Sequence, residues 1–326
     1  MYLNSNRARP LLAALAAVLG FCAAGVSAQP YQAPRNAYGA PDFNGEWNNN
    51  SLTRLERPPG TGPLVVSDSD AAATERRLAA SYAPDATVGN VGGTQSEWWD
   101  GAHLGRVDGQ LRTSWIVDPV DGRLPYTAEG QRLVMAAGKA TRDAMDNPEQ
   151  RPLAERCLLP SWGAMAPLML NSPYNANYRF LQTRDELVIL SENNDELRVI
   201  RIGAAHLPPQ LNSWTGDSIG RWDKDTLMVE TTNLRGAPFN TPPFLINARS
   251  KVLERFTRVS PTTLKYQFTV VDPVVFDRPW WADMTFTATN AAMYEFACHE
   301  GNYGMTNILA GARAIERETA SAPASR

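Results

Sequence analysis

The second half of the chain consists of short, alternating, β-branched segments separated by turn residues, and this pattern restricts the possible folds most. Few of the segments have room for a helix between them, which predicts a sequence of antiparallel strands. The predicted strands are Tyr178–Thr183, Glu186–Glu192, Glu196–Ile202, Asp217–Trp222, Thr226–Thr232, Lys251–Val259, Thr263–Asp272, Trp280–Thr289 and Met293–Cys298. Curling into a barrel would remove the exposed edges of such a meander. We therefore predict a mainly β (α+β) fold with a barrel-like, lipocalin-like sheet, a shape that commonly holds one small ligand at its mouth.

The first half of the chain is richer in loops and helices. Residues 41–47 indicate a turn that enters a short strand, and residues 114–117 indicate another. A helix is predicted from Asp68 to Tyr82, where Asp68 or Ser69 caps a run of good helix formers. Thr127 is expected to cap a second helix, which Pro148 ends.

These patterns divide the sequence into four parts. Residues 1–28 are predicted to be a signal peptide, and residues 29–175 a loop-rich wrap with two helices. Residues 176–317 are predicted to be the barrel with a C-terminal helix that begins at Gly304, and residues 318–326 a flexible tail.

The N-terminus is typical of an export signal. Arg7 and Arg9 provide the positive start, and Leu11–Gly25 is an apolar run of suitable length. Residues 26–28 match the small-x-small cleavage rule, so the mature chain is expected to begin at Gln29 in the periplasm or outside the cell. No later apolar run is long enough to span a bilayer, so we expect no membrane partner after cleavage.

Cysteine usage supports an oxidising compartment. Cys22 lies in the leader, where lipidation is an alternative that the bulky Phe21 disfavours. Only Cys157 and Cys298 remain in the mature chain, and we expect them to form a disulfide. The alternative is two separate buried thiols.

Composition excludes some classes of partner. The formal net charge of -3 offers no basic surplus to neutralise phosphates, so nucleic acid is not an expected partner. The hydrophobic fraction of 43% is enough for a folded core.

Residues 294–303 hold the most informative polar cluster, because a histidine and a carboxylate follow each other where strands give way to a helix. His299 suits general acid–base chemistry, and Glu300 is expected to assist it. Adjacent residues on an extended segment point in opposite directions, but Gly301 permits a turn. The alternative is structural: Glu300 and Asn302 would cap the final helix.

Two further candidates for catalysis lie earlier in the chain. His206 is in a loop, where it is either catalytic or an ordinary exposed histidine. Asp217 is expected to orient a histidine, or else to bond to its own backbone in a turn. Ser218 lacks a nucleophile-elbow motif. With His103 there are only three histidines, and no spacing places two of them together, so we predict no metal site and no cofactor, although zinc remains an alternative.

A second group of residues is predicted to bind a ligand: Trp214, Trp222, Trp280, Tyr303, Asn302 and Glu254. Aromatic side chains suit a flat or sugar-like ligand, although tryptophans at strand ends more often pack in a core. The loop pair Trp98–Trp99 is a further candidate for the same role. Trp280 and Trp281 point to opposite faces, so only one of them is expected inside.

Glu254 is in phase with the apolar residues of its strand, so we expect it to face the interior. There it is either an acid with a raised pKa or the partner of an arginine such as Arg221. The ion pair is the favoured alternative.

Several sequence blocks, spread over most of the mature chain, resemble those of a large, paralogue-rich family of secreted proteins from Gram-negative soil and freshwater bacteria. The blocks begin at Pro41 (PDFNGEW), Ile116 (IVDP), Asp121 (DGRLP), Glu155 (ERCL), Trp214 (WTGDSIGRW), Glu254 (ERF), Asp272 (DP), Arg278 (RPW) and Cys298 (CHEGNY). The resemblance implies export and supports the pairing of the two cysteines. It implies no reaction and no catalytic residue.

The sequence supports two functional hypotheses. The first is a periplasmic enzyme, a hydrolase or lyase, that acts on a small organic molecule by general acid–base chemistry with His299 as acid or base. Glu300, His206 and Asp217 would assist. The alternative is a non-catalytic small-molecule binding protein that uses the barrel mouth. Convergence of His206, Asp217 and His299 around one cavity would favour the enzyme.

Overall fold

The computed structural model describes Met1 and residues 31–82, 103–159, 167–172, 174–235 and 246–321. It divides into the units Met1–Tyr31 and Gln32–Arg326, and the strands, helices and sites described below all belong to the second unit. The predicted signal peptide and the pair Trp98–Trp99 lie outside the described residues.

The described part of the chain contains thirteen strands, three α-helices and two short 3-10 helices. The strands are β1 (Gly45–Asn48), β2 (Val65–Val66), β3 (Arg106–Val107), β4 (Gln110–Arg112), β5 (Ile116–Asp118), β6 (Asn177–Gln182), β7 (Glu186–Ser191), β8 (Leu197–Ile202), β9 (Asp217–Asp223), β10 (Thr226–Thr232), β11 (Lys251–Ser260), β12 (Thr263–Val271) and β13 (Trp280–Ala288). The α-helices are α1 (Asp68–Tyr82), α2 (Ala128–Asp143) and α3 (Gly304–Ser321).

A closed barrel of nine strands is the centre of the fold, and it confirms the predicted barrel-like, mainly β architecture. Its order is β1-β6-β7-β8-β9-β10-β11-β12-β13, and β13 returns to β1, where Trp47 is opposite Ala288. One neighbouring pair, β8 and β9, is parallel rather than antiparallel. Because parallel neighbours need a crossover, residues 203–216 run back along the barrel between them.

The prediction of a last strand at Met293–Cys298 is wrong, since residues 289–298 are irregular. The preceding strand, β13, already pairs with β12 on one side and with β1 and β5 on the other, so it has no free edge. The strand that completes the barrel comes instead from the predicted N-terminal wrap. The alternation in the sequence indicated a segment able to form a strand but not whether a partner edge was available.

The barrel interior is a packed aromatic core. Side chains alternate in and out along each strand, and the inward set is almost fully buried. Its rings meet at short distances, for example 4.8 Å between the centroids of Phe256 and Tyr266 and 5.2 Å between those of Tyr178 and Phe286. These rings fill the middle of the barrel, where a lipocalin-like fold would hold its ligand.

The predicted cap of α2 is confirmed, whereas α1 is capped by Ser67, whose hydroxyl accepts from the backbone N–H of Asp70 over 3.2 Å, and not by Asp68 or Ser69. Thr127 accepts a hydrogen bond from the backbone N–H of Gly130 at the start of α2, and α1 has the predicted bounds. A Cβ on Gly130 would lie 2.1 Å from the carbonyl oxygen of Val275, so only glycine permits this close approach. The last helix, α3, buries none of its residues. Among the described residues, the helices lack the combination of length and apolarity that a membrane span requires.

The predicted disulfide between Cys157 and Cys298 is confirmed. The two Cα atoms are 5.8 Å apart, within the usual range. The bond joins residues 141 apart in sequence, and closing so long a loop stabilises a fold by about 4 to 5 kcal/mol in the chain-entropy model.

Candidate functional site

An ion pair lies inside the barrel at one end of the aromatic core. Arg198 donates from Nη1 to Glu254 Oε1 over 2.8 Å and makes a second bond from Nη2 to Oε2, while Tyr266 donates to Oε1 over 2.7 Å. The hydroxyls of Ser218 and Thr231 each accept from Arg198 Nη2 over 3.1 Å. We call these five residues the inner network.

The inner network corrects one prediction. Glu254 faces inward and forms an ion pair, as expected, but its partner is Arg198 and not Arg221. Arg221 lies on the exposed face of β9, since its neighbour Gly220 points inward. Burial alone would lower the pKa of Arg198, but the Glu254 carboxylate more than offsets this and the pKa is raised. In this arrangement Glu254 is 0% exposed.

Residues 167–170 cover the inner network at this end of the barrel. The backbone N–H of Met169 donates to the hydroxyl of Tyr266 over 3.3 Å, and the carbonyl of Pro167 lies 2.9 Å from that hydroxyl. Leu168, Met169 and Leu170 are all buried. Burial, and then the carboxylate of Glu254, raise the pKa of Tyr266 well above its ordinary value.

A second charged cluster lies on the opposite, outer face of the same strands. His206 Nδ1 lies 2.8 Å from Asp217 Oδ2, and Arg201 donates to Asp217 Oδ1 over 2.7 Å. His206 Nε2 lies 3.4 Å from Glu230 Oε1, to which Lys251 Nζ comes within 2.9 Å. We call these five residues the outer cluster.

Hydrogen bonds and nearby cations lower the pKa values of the two carboxyl groups in the outer cluster. Burial raises the pKa of Asp217, but the backbone N–H of Leu207 and the side chains of His206 and Arg201 outweigh it and lower that pKa. Burial also raises the pKa of Glu230, but Lys251 and His206 outweigh this effect and lower that pKa. Both carboxylates are therefore held ionised.

The pairing of His206 with Asp217 is the arrangement that orients a catalytic histidine, and the structure brings these two predicted residues together. The free nitrogen is poorly placed for chemistry, however. His206 Nε2 is shielded from solvent and lies 3.4 Å from Glu230 Oε1, and it makes no hydrogen bond among the described residues. A substrate would reach this atom only if the side chains that shield it moved.

His299 lies elsewhere, beside the disulfide. It lines a shallow cavity of about 300 Å³, whose other walls are Pro148, Glu155, Arg156, Cys157, Leu158, Asn302 and Met305. The side chains of His299 and Glu300 are exposed, and within the described ranges neither side chain forms a hydrogen bond or ion pair. No such contact links His299 to His206 or Asp217. Asn302 Oδ1 accepts from the backbone N–H of Gly304 and so caps α3, as the structural alternative predicted for Asn302.

The predicted aromatic binding residues are dispersed. Trp280 is 1% exposed and packs edge-on against the rings of Phe268 and Phe276 in the core. Trp222 is half-buried against Phe43. Two others lie apart from these: Trp214 has the guanidinium of Arg235 4.8 Å above its ring, and Tyr303 is exposed.

A groove of about 630 Å³ on the outside of the barrel was not predicted from the sequence. It lies between the outer ends of β12, β13 and β1 and the segment that leads into the β3–β4 hairpin. The residues that line it are Asn48, Asn49, Asn50, Ser51, His103, Leu104, Gly105, Arg106, Asp108, Gly109, Trp115, Val259, Ser260, Thr263, Thr285 and Thr287. A signal was present in the sequence, since four consecutive neutral polar residues come directly after Trp47.

Neutral polar side chains form the floor of the groove at one level. Thr263 pairs with Thr287 across β12 and β13, and Thr287 pairs with Asn48 across β13 and β1. On each of the three strands the adjacent residue points into the core. Because side chains alternate along a strand, the side chains of these three residues point outward. Among the described residues the hydroxyls of Thr263 and Thr287 have no hydrogen-bond partner.

Charges at the edge of the groove are already paired. Arg106 bonds to Asp68, and Asp108 Oδ2 accepts from Lys265 Nζ over 2.6 Å. At one end the ring of Trp115 lies so close to Gly105 that an added Cβ would be 2.0 Å from it. The groove therefore offers mainly neutral donors and acceptors.

A buried carboxyl lies behind the groove. Asp283, two residues from Thr285 on the same face of β13, is 3% exposed. Arg112 Nη2 and Lys265 Nζ lie 3.7 and 3.9 Å from its Oδ2, which is too far for direct hydrogen bonds. Burial raises its pKa despite these cations.

Within the described ranges, no group of three or more His, Cys, Asp or Glu side chains is arranged to hold a metal ion. No protein-family model matches the chain, and no curated protein matches it. Indications of function therefore come from the groove, the cavity beside the disulfide and the two charged groups.

Proposed function

We propose that this protein is an exported, non-catalytic binding protein that holds a small, neutral, sugar-like molecule in the groove. The observation that carries the proposal is the level row of Asn48, Thr287 and Thr263 on three adjacent strands, in which the two threonine hydroxyls have no partner among the described residues. The amide of Asn48 is held in place by Asn177 and by the backbone N–H of Asn50. The predicted leader and the disulfide support a periplasmic or secreted location.

The chemistry of the wall selects the ligand. Hydroxyl and amide groups on a rigid sheet suit a partner with several hydroxyls, because each neutral hydrogen bond adds only about 0.5 to 1.5 kcal/mol and many are needed. Adjacent strands lie about 4.8 Å apart, so three groups at one level span roughly 10 Å, a length suited to one or two sugar rings. A charged ligand would need an unpaired opposite charge, whereas Arg106 and Asp108 are already engaged.

The test begins with a thermal-shift screen of neutral mono- and disaccharides, the same sugars oxidised to carboxylates, and aromatic acids. Neutral sugars are expected to stabilise the protein, and calorimetry then gives the affinity of the best one. Thr263→Val with Thr287→Val should weaken that affinity about tenfold, since two hydroxyls are removed with little change of shape.

The matched control is Thr269→Val, which changes the outer face of β12 away from the groove. It should bind as the wild type does. Equal affinity in the wild type and in the Thr263/Thr287 double variant would show that the ligand does not bind in the groove.

A second candidate function rests on the 2.8 Å contact between His206 and Asp217. It is the acid–base enzyme, a hydrolase or lyase, in which Asp217 holds the imidazole and Nε2 exchanges a proton with a small substrate. A turnover screen with a metabolite library tests it. Activity that His206→Ala abolishes and His299→Ala preserves would place the chemistry in the outer cluster, and the reverse result would place it beside the disulfide.

A further inference from the structure

Within the described residues, few hydrogen bonds attach the C-terminal segment, residues 289–321, to the rest of the molecule beyond the one from the N–H of Thr289 to the carbonyl of Glu46. No residue of α3 is buried. The backbone N–H of Tyr294 donates to Glu192 over 3.1 Å, and Arg313 donates to the carbonyl of Asp146 over 3.0 Å. The covalent bond between Cys157 and Cys298 is therefore a principal anchor of this segment.

The surroundings of that bond are open and polar. Cys157 forms part of the wall of the 300 Å³ cavity, and both cysteines are only half-buried. The side-chain amide of Asn302 lies 3.5 Å from Cys157 Sγ, with its N–H as donor. His299, next to Cys298 in the chain, and Arg156 line the same cavity.

We propose that Cys157–Cys298 is a thiol–disulfide exchange site that a dithiol reductant opens in the folded protein, releasing the C-terminal segment. A disulfide held only to stabilise the fold needs no open approach to sulfur and no polar groups around it. Accessible disulfides are the ones that exchange readily. The proposal is independent of ligand binding in the groove.

The reaction balances in two steps. A thiolate of the dithiol attacks Sγ of Cys157, a residue that lines the cavity, to form a mixed disulfide, and Cys298 leaves as a thiolate that takes a proton with the help of His299. The second thiol of the reductant, once deprotonated, then displaces Cys157. Its sulfur leaves as a thiolate stabilised by the N–H of Asn302 and is protonated by solvent. The reductant becomes a disulfide, and the protein gains two electrons and two protons as two thiols.

The first experiment measures the rate of reduction of the full chain by dithiothreitol, with alkylation and intact mass as readout, over urea concentrations below the unfolding transition. We expect a rate that is first order in dithiothreitol and independent of urea. A rate that rises with urea along the slope for global unfolding would show that only the unfolded chain is reduced, and would overturn the proposal.

Variants test the two positioning residues. Asn302→Ala should slow the second step several-fold, so that the mixed disulfide accumulates, while Asn307→Ala, an exposed amide further along α3, should not. His299→Gln should alter the pH profile of the first step. If both variants behave as wild type, the exchange chemistry assigned to this cavity is wrong.

Hydrogen exchange then tests the release. Reduction should raise amide exchange in residues 304–321 and leave strands β6 to β12 protected. Unchanged protection of α3 would contradict the release, even if the bond exchanges.

Discussion

The inner network and the outer cluster occupy opposite faces of the same strands, β8 to β11. They differ in how many of their polar atoms have hydrogen-bond partners. Ser218 and Thr231 point inward, while their chain neighbours Asp217 and Glu230 point outward. Inside, the Arg198 guanidinium and the Glu254 carboxylate each have several partners and are buried from solvent. Outside, His206 has one nitrogen bonded and the other facing a carboxylate without a hydrogen bond.

This difference indicates that the inner network has a structural role, whereas the charges of the outer cluster can change with conditions. A buried ion pair with a full set of partners is costly to disturb, because removing one charge strands the other in a medium of low dielectric constant. A partly exposed cluster is screened and responds to pH. Charged residues on one strand can therefore contribute very differently according to which face they occupy.

The largest effect is expected from Glu254→Ala. It leaves the Arg198 guanidinium buried without a counter-ion and should lower the free energy of unfolding by about 3 to 5 kcal/mol. Urea denaturation gives the value.

The companion variant is Arg198→Met with Glu254→Leu, which removes both charges. It should recover most of the loss, since the hydroxyls of Ser218 and Thr231 still bond to each other over 2.9 Å. A double variant as unstable as Glu254→Ala would show that packing, not charge, dominates inside the barrel.

A smaller effect is expected from Asp217→Asn in the outer cluster. The change weakens the contacts with Arg201 and His206 but keeps an acceptor for the N–H of Leu207, so a loss of about 1 to 2 kcal/mol is expected. The same urea titration measures it. A loss equal to that of Glu254→Ala would remove the distinction between the two faces.

The pH dependence of stability sharpens the comparison further. Asp217 and Glu230 have lowered pKa values in the folded state, so the unfolded chain takes up protons first as the pH falls. Their contribution is fully present above about pH 4.5, near their ordinary pKa values, and is lost as the pH falls through the lowered ones. The variant Asp217→Asn with Glu230→Gln should show a flatter decline of melting temperature below that pH, and a decline as steep as that of the wild type would contradict this.

The smallest effect is expected from His299→Ala, because His299 lies outside both the inner network and the outer cluster. Its exposed imidazole makes no hydrogen bond within the described residues, so stability should change by less than about 0.5 kcal/mol. Calorimetric melting measures the change. A drop of many degrees would make His299 a structural residue.

Local patterns in the sequence predicted most of the strands, because alternation depends only on which face of a strand is buried. They predicted the inward direction of Glu254 for the same reason. They did not predict its partner Arg198, because that depends on the parallel pairing of β8 with β9 across the crossover of residues 203–216. Strand partners are set by distant parts of the chain.

The groove was missed for a related reason. Its walls come from segments around Asn48, Gly105, Ser260 and Thr287, which are far apart in sequence and meet only after the barrel closes. Cys157 and Cys298 are also far apart in sequence, at 141 residues, but the count of cysteines in an exported chain was sufficient to pair them. Two cysteines in an exported chain predict a contact by themselves. Threonine and asparagine are too common in a sequence to predict which residues lie together.

The position of β1 between β6 and β13 also determines when folding can finish. On the ribosome, residues 45–48 are made early, yet one of their partners, Thr287, is made some 240 residues later. Contacts over such sequence distances slow folding, since a long loop has to close before they form. The barrel therefore cannot close before β13 has been synthesised, and until then the nascent chain keeps one edge of β1 unpaired.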